Sequence, residues 1–123
     1  VLNGLNGATW KTLEPLLKNI PHPEGVPETR ESMFIPKGCE KCGGLGYKGR
    51  VGVVEVILMD KLIEETVRKT SSEREIWKAS KPQQIRRMAQ DGVVKVLQGV
   101  TSLDELGRVV DLHDEVMLET LSE

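Results

Sequence analysis

The sequence predicts an α+β fold that is mainly α: a small β-hairpin unit built on a Cys-x-x-Cys turn, followed by a bundle of four to five short helices. Three observations predict it. Both cysteines of the 123-residue chain stand at Cys39 and Cys42, just ahead of a glycine-rich turn. The run Arg50–Leu58 that follows has β-branched residues at 51, 53, 54, 56 and 57, the strongest strand signal in the chain. From Asp60 onward, apolar residues recur at helical spacing behind recognisable capping signals. The chain divides accordingly into an N-terminal helix and Pro-rich loop (residues 1–32), the Cys-x-x-Cys turn with its strands (33–58) and a helical domain (59–123).

Each element follows from local chemistry. Residues 1–9 are rich in Gly and Asn and read as loosely attached. Thr9 or Thr12 caps a short helix bearing Leu13, Leu16, Leu17 and Ile20, with Pro15 in its first turn. Pro21, Pro23 and Pro27 around Gly25 forbid regular structure across 21–28, which is a loop. Met33–Ile35 is a short strand ended by Pro36. The longer run to Leu58 is apolar on both faces apart from Glu55, so it is expected to be covered on both sides.

Asp60 caps a helix bearing Leu62, Ile63, Thr66 and Val67. Ser72-Glu-Arg-Glu75 has the form of a capping box and opens a second helix with Ile76 and Trp77. Pro82 suits the first turn of a third, whose inner face carries Ile85, Met88, Ala89, Val93, Val96 and Leu97. Gly92 interrupts that face at a cost of about 1 kcal/mol relative to Ala, which points to close backbone packing there. Gly99 ends the helix, and the box Ser102-Leu-Asp-Glu105 starts a fourth with Leu103, Leu106, Val109 and Val110. Residues 111–123 continue it or form a tail helix through Val116, Met117 and Leu121.

Bulk composition excludes several function classes. Hydrophobic residues make up 38% and charged residues 29% of the chain, which suits a folded domain. Aromatics are limited to Trp10, Phe34, Tyr47 and Trp77, so Val, Leu, Ile and Met must build the core. A formal charge of −2 provides no general attraction to nucleic acid or to anionic membrane. No apolar run has the length of a membrane span, and no basic-then-apolar leader opens the chain. Val1 is not a methionine, and the chain is expected to be part of a longer one.

The chemistry concentrates at Cys39 and Cys42. Two thiolates at this spacing hold one side of a tetrahedral zinc, and the glycines after them free backbone N–H groups to point at sulfur. The unit therefore reads as a zinc knuckle, but a closed structural site needs four ligands and these cysteines supply two. A second chain could donate its own pair; His22, in the Pro-rich loop, is a lesser candidate for a third ligand. The bland alternative is a pair of reduced thiols in a turn held by packing alone. A thioredoxin-like role does not fit, since those cysteines open a helix that Gly43, Gly44 and Gly46 would break. Nor do these glycines form a dinucleotide fingerprint, because a strand and not a helix follows them. Arg50 and Glu55 are the charges embedded in the strand signal, read as interface or structural residues. Lys48, Arg86, Arg87 and Lys95 are most simply solvated, and Trp77 and Met88 most simply core.

The run Gly-Cys-Glu-Lys-Cys-Gly-Gly-Leu-Gly-Tyr-Lys-Gly-Arg-Val-Gly-Val-Val-Glu-Val closely resembles the C-terminal part of the GspE/PilB family of type II secretion and type IV pilus assembly ATPases. The segment Ile85–Val109, with its Asp-Gly…Lys…Gly-x-Thr-Ser-x-Asp-Glu order, is similar to that family's closing segment. The resemblance covers roughly residues 33–110. It implies that Cys39 and Cys42 match the second pair of a four-cysteine zinc site. It further implies a cytoplasmic hexamer, peripheral at the inner membrane, that couples ATP hydrolysis to pilin or pseudopilin assembly through a membrane platform protein. Two departures stand out. The chain has no G-x-x-x-x-G-K-[ST] phosphate loop, so ATP and magnesium belong to a core outside it and the chain alone is expected to be inactive. The first cysteine pair is also absent, and residues 11–36 look like the segment between the two pairs.

The expected function is thus the non-catalytic C-terminal portion of such a motor, bracing the hexamer and passing on the motion of its ATPase core. The alternative is a single-knuckle zinc-binding protein-interaction module, because Cys39-x-x-Cys-x-Gly-x-Gly46 also satisfies the repeat of Hsp40-type co-chaperones. That family repeats the motif, whereas here it occurs once. With two histidines, neither near a Ser or Cys in sequence, no nucleophile–base constellation for an autonomous enzyme can be named.

Overall fold

A computed structural model describes residues 14–18, 20–27 and 33–115. In chain order it has a helical turn at 14–17, a 3-10 turn at Glu40–Cys42, helix α1 (Lys61–Lys69), helix α2 (Glu73–Ser80), a 3-10 turn at Lys81–Gln83, helix α3 (Met88–Leu97), helix α4 (Leu103–Leu106) and a last helical turn at 112–115. The expected caps Thr9 and Thr12, and the tail through Val116, Met117 and Leu121, lie outside the described residues.

α3 is the centre. Ala89, Gln90, Gly92, Val93, Val94, Val96 and Leu97 are all buried along its length, the pattern of a helix covered on most of its circumference. Ala89, Val93, Val96 and Leu97 pack with Leu16, Met33, Leu106 and Val110 in one core, flanked by Leu17, Val26, Val53, Leu103 and Leu112. Gly92 is where α4 crosses: a Cβ there would lie 2.3 Å from Leu106 Cδ1, so the glycine lets the two helices close. α1 and α2 form a hairpin beside this core, with Ile63 fully buried.

The capping signals are largely realised. Asp60 Oδ1 accepts the Ile63 N–H at 2.9 Å, and Ser102 Oγ accepts the Glu105 N–H at 3.3 Å. Ser72 occupies the N-cap of α2 without a side-chain bond. α3 ends as expected, with Gly99 at φ +74 just past it. Its start differs. Pro82 opens only the 3-10 turn, Gln84 adopts a left-handed φ of +50, and the helix begins six residues after Pro82 at Met88. There the Gln90 side chain accepts the Arg87 N–H at 2.9 Å.

The β-hairpin is the correction. Among the described residues there is no strand: Met33–Ile35 and Arg50–Leu58 run extended but join no ladder. A strand exists only where a second backbone answers its N–H and C=O groups. Here side chains answer several of them instead. The Asp91 carboxylate accepts the Val54 N–H at 3.0 Å, and Lys95 donates to the Gly52 carbonyl at 2.7 Å. Gln83 makes both bonds of a strand partner with its amide, accepting from Leu58 N and donating to Leu58 O, each at 2.9 Å. The run is also not covered on both sides: Val51, Val54, Val56 and Leu58 are 49–65% exposed.

Candidate metal centre

The Cys39–Gly46 loop is shaped by where its chain can turn. Cys39 is extended, Glu40–Cys42 make one 3-10 turn, and Gly43 closes it at φ +62. Gly44 N–H donates back to Cys39 O at 3.0 Å, and the chain then folds against its own approach. A Cβ on Gly46 would meet Pro36 Cβ at 2.7 Å, and one on Gly38 would meet Gly44 O at 2.2 Å. With Gly46 also at φ +82, these contacts tolerate no side chain without a shift.

This turn brings the two sulfurs together. Cys39 Sγ and Cys42 Sγ are 3.6 Å apart as free thiols. Two thiolates bound to one tetrahedral zinc at about 2.3 Å would stand about 3.8 Å apart, so the pair needs almost no movement to chelate. Cys42 Sγ accepts backbone N–H bonds from Cys39 at 3.2 Å and Gly46 at 3.1 Å; the second is a glycine amide of the kind expected after the cysteines, and the first comes from the other thiol residue. The Cys39 N–H first, and the Gly46 N–H next, bring the Cys42 thiol below its usual range to about 7. Both donors favour the thiolate, the form a metal binds. No group of three or more His, Cys, Asp or Glu side chains gathers here or elsewhere among the described residues. The residues therefore fit one half of a zinc site. His22 does not join it; its imidazole lies exposed, 4.0 Å from the Glu24 carboxylate.

Arg50 and Glu55 part company. Arg50 is exposed where the loop leaves the knuckle, while Glu55 reaches the helical domain and accepts the Met88 N–H at 3.0 Å. An acceptor carboxylate at that end of α3 satisfies one of its open N–H groups and suits its dipole. Asp91 and Lys95, one turn apart on α3, pair with each other while holding the Val54 N–H and the Gly52 carbonyl. The extended run after the knuckle is thus fixed to α3 at three consecutive places.

A family model described as type II/IV secretion system protein matches residues 11–108. The chain belongs to that family. Among relatives, the type IV pilus assembly ATPase PilB of Thermus thermophilus is 37% identical over 80 residues, covering 64% of this chain and 9% of that protein. The type IV pilus assembly ATPase TfpB of Acinetobacter baylyi is 37% identical over 82 residues, 67% of this chain and 14% of its own. Type II secretion system protein E of Aeromonas hydrophila is 38% identical over 81 residues, 64% and 16% respectively. The chain spans only 9–16% of the length of these relatives. No solved structure matches it.

Several residues of this secretion-family segment do work that their sequence positions do not announce. Arg86, expected in solvent, donates to the carbonyls of Pro21 at 2.9 Å, of His22, and of Glu24 at 3.4 Å, gripping the Pro-rich loop. Gln98 donates to Gly25 O at 2.7 Å and Gln90 to Leu16 O at 3.0 Å, so three side chains from 86–98 hold the N-terminal segment. Arg87, also expected in solvent, lies 4.5 Å over the Trp77 ring and pairs with Glu115 at 3.1 Å. Lys95 is largely buried, and Met88 is more exposed than a core residue. A long polar side chain after a helix break is the one signal that could have marked Arg86; nothing in the sequence marks its carbonyl partners. No helix among the described residues is long and apolar enough to cross a membrane.

Proposed function

We propose that this chain is a non-catalytic, C-terminal portion of a secretion or pilus motor ATPase, carrying half of a zinc site and a helical bracing domain. The observation that supports it most directly is a family match running through both the Cys-x-x-Cys turn and the 85–108 segment, with the two sulfurs already 3.6 Å apart. Cys39 and Cys42 hold one side of the zinc, and the other two ligands come from a second cysteine pair, in the longer protein or in another chain. Zinc, once bound, supplies a rigid cross-link and no chemistry of its own. ATP and magnesium act in a core outside this chain. Here Glu55, Asp91, Lys95 and Gln83 keep the run 50–58 extended, with its exposed apolar side chains facing outward. Through that face the chain braces its neighbours in a cytoplasmic hexamer and transmits motion toward pilin or pseudopilin assembly at an inner-membrane platform.

Native mass spectrometry of the reduced chain with zinc present tests this reading, since it counts metal and chains together. One zinc shared by two chains is the expected result, each contributing its cysteine pair. A metal-free monomer at micromolar zinc, unchanged in the double variant Cys39→Ser/Cys42→Ser, would refute the metal role.

A further inference from the structure

Short-range turn bonds within 39–45 give the knuckle its shape, but no buried side chain anchors it to the rest of the fold. Gly43, Gly44, Gly46 and Gly49 all sit at positive φ, none of the residues 34–52 is buried, and no strand ladder frames it. Glycine-rich chain of this kind gains the most freedom when released. Yet one of the two N–H groups on Cys42 Sγ, that of Gly46, must be held 3.1 Å away. The next residue explains how. The Tyr47 hydroxyl hydrogen-bonds Ser102 Oγ, 55 residues further along the chain. Ser102 is only 6% exposed and is itself fixed as the N-cap of α4.

We propose that Tyr47 and Ser102 are positioning residues for the thiolate pair: their bond clamps the backbone at 46–47 to the helical domain and so keeps the Gly46 N–H on Cys42 Sγ. Three features favour a positioning role over a chance surface contact. The Ser102 hydroxyl is buried and already oriented by accepting the Glu105 N–H, so the tyrosine meets a fixed partner. Tyr47 directly follows the amide that reaches sulfur, leaving one rotatable residue between clamp and ligand. Finally, both residues of the bond lie within the range 11–108 that matches the family. Coupling of this kind is reciprocal, so metal held at the cysteines would in turn steady the cap of α4. Only that metal-dependent half rests on the function proposed above.

The test uses the 123-residue chain, reduced, as wild type and as Tyr47→Phe, Ser102→Ala and Ser102→Thr. Amide hydrogen exchange without metal should show the Gly46 N–H exchanging about fivefold faster in Tyr47→Phe and Ser102→Ala, the loss expected for one partly buried side-chain hydrogen bond. Ser102→Thr keeps the hydroxyl and should keep the wild-type rate. In Tyr47→Phe the Glu105 N–H should stay protected, because Ser102 still caps α4. Cobalt(II), whose thiolate charge-transfer absorbance reports ligation, then serves as the metal probe. Its half-saturation should rise about fivefold in Tyr47→Phe and return to the wild-type value in Ser102→Thr. An unchanged Gly46 rate in both Tyr47→Phe and Ser102→Ala would overturn the proposal, as would a uniform acceleration through α3, which would mean general loosening. If cobalt binds none of the four proteins, the metal reading fails while the exchange rates still decide the clamp.

Discussion

Gly92→Ala separates helix propensity from packing at the crossing of α3 and α4. On an isolated helix the change should stabilise, since Ala exceeds Gly by about 1 kcal/mol in a helix interior. In this structure the new Cβ would lie 2.3, 2.9 and 3.2 Å from Leu106 Cδ1, Cδ2 and Cγ. Carbon atoms attract best at about 3.5–4.0 Å, so each contact is repulsive. All three belong to one side chain and move together when it turns about its Cα–Cβ bond, so relief needs room for the whole isobutyl group. Leu106 is 2% exposed and packs among Val93, Val96, Leu97 and Val110, so it has nowhere open to go. An overpacked methyl costs about 1–3 kcal/mol; with this overlap the upper half of that range applies, and about 1 kcal/mol of propensity offsets part of it. The net expectation is a loss of about 1–2 kcal/mol, or a melting temperature lower by about 4–8 °C in a domain of this size.

Urea unfolding followed by far-ultraviolet circular dichroism measures it, with a double-mutant cycle to locate the cause. Leu106→Ala alone should cost about 2–5 kcal/mol by leaving a cavity. In the double variant Gly92→Ala/Leu106→Ala the added methyl enters that cavity, so its total loss should be at least about 1 kcal/mol smaller than the sum of the two single losses. A Gly92→Ala protein more stable than wild type would refute the reasoning, and so would strict additivity.

Three other perturbations follow from the same geometry. Ile63 N–H and, after it, the Gln83 side chain hold the Asp60 carboxyl below the usual carboxylate range. A depressed folded-state value means that its contribution is complete above the unfolded value near 4 and is lost as pH falls through the folded one; the stability gap between wild type and Asp60→Asn should therefore narrow as pH falls below the unfolded value, and a constant gap would exclude an ionic role. Arg86→Lys removes a planar fork that meets three carbonyls at once, so limited proteolysis should cut the 21–27 loop several-fold faster, and an unchanged digestion pattern would mean that the loop is held by packing. Iodoacetamide should modify Cys42 with a pH midpoint of about 7, fragment mass spectrometry distinguishing it from Cys39; a midpoint near the ordinary thiol value of about 8.5 would mean that the two N–H donors do not reach the sulfur in solution.

What the sequence revealed and what it concealed divide along one physical line. Features set within a few residues were legible: the caps at Asp60 and Ser102, the stop at Gly99, the tight thiol turn and the apolar face of α3 all follow from residue types at fixed short spacing. Gly92 was legible too, because a glycine inside a helical pattern costs enough to need a packing reason. Features that depend on a distant partner were not. Arg86 and Lys95 look like ordinary solvated cations until the fold sets backbone carbonyls in front of them. The third helix was extended too far forward for a related reason: Pro82 permits a helix start but does not compel a long one, and the left-handed Gln84 ends the turn it opens.

The run Arg50–Leu58 sharpens the distinction between propensity and structure. β-branched residues prefer extended backbone because of their own crowding at Cβ, and the segment is extended, as that preference dictates. A strand demands more, namely a second backbone in register, which propensity cannot supply. Gln83 and Asp91 stand in for that partner with an amide and a carboxylate at Leu58 and Val54. They satisfy hydrogen-bonding groups at those two residues without burying their side chains or that of Val56 between them, so Val54, Val56 and Leu58 stay more than half exposed. Extended shape and apolar coverage are therefore separate properties of this segment. The first is built into the 123 residues by side chains of the 83–95 region; the second requires another surface. Replacing Gln83 with Ala should accordingly loosen the Leu58 end of the run, readable as faster exchange of the Leu58 N–H, while leaving the Val54 N–H on Asp91 at its wild-type rate. Equal acceleration at both amides would mean that the run is held as one cooperative strand rather than at independent points.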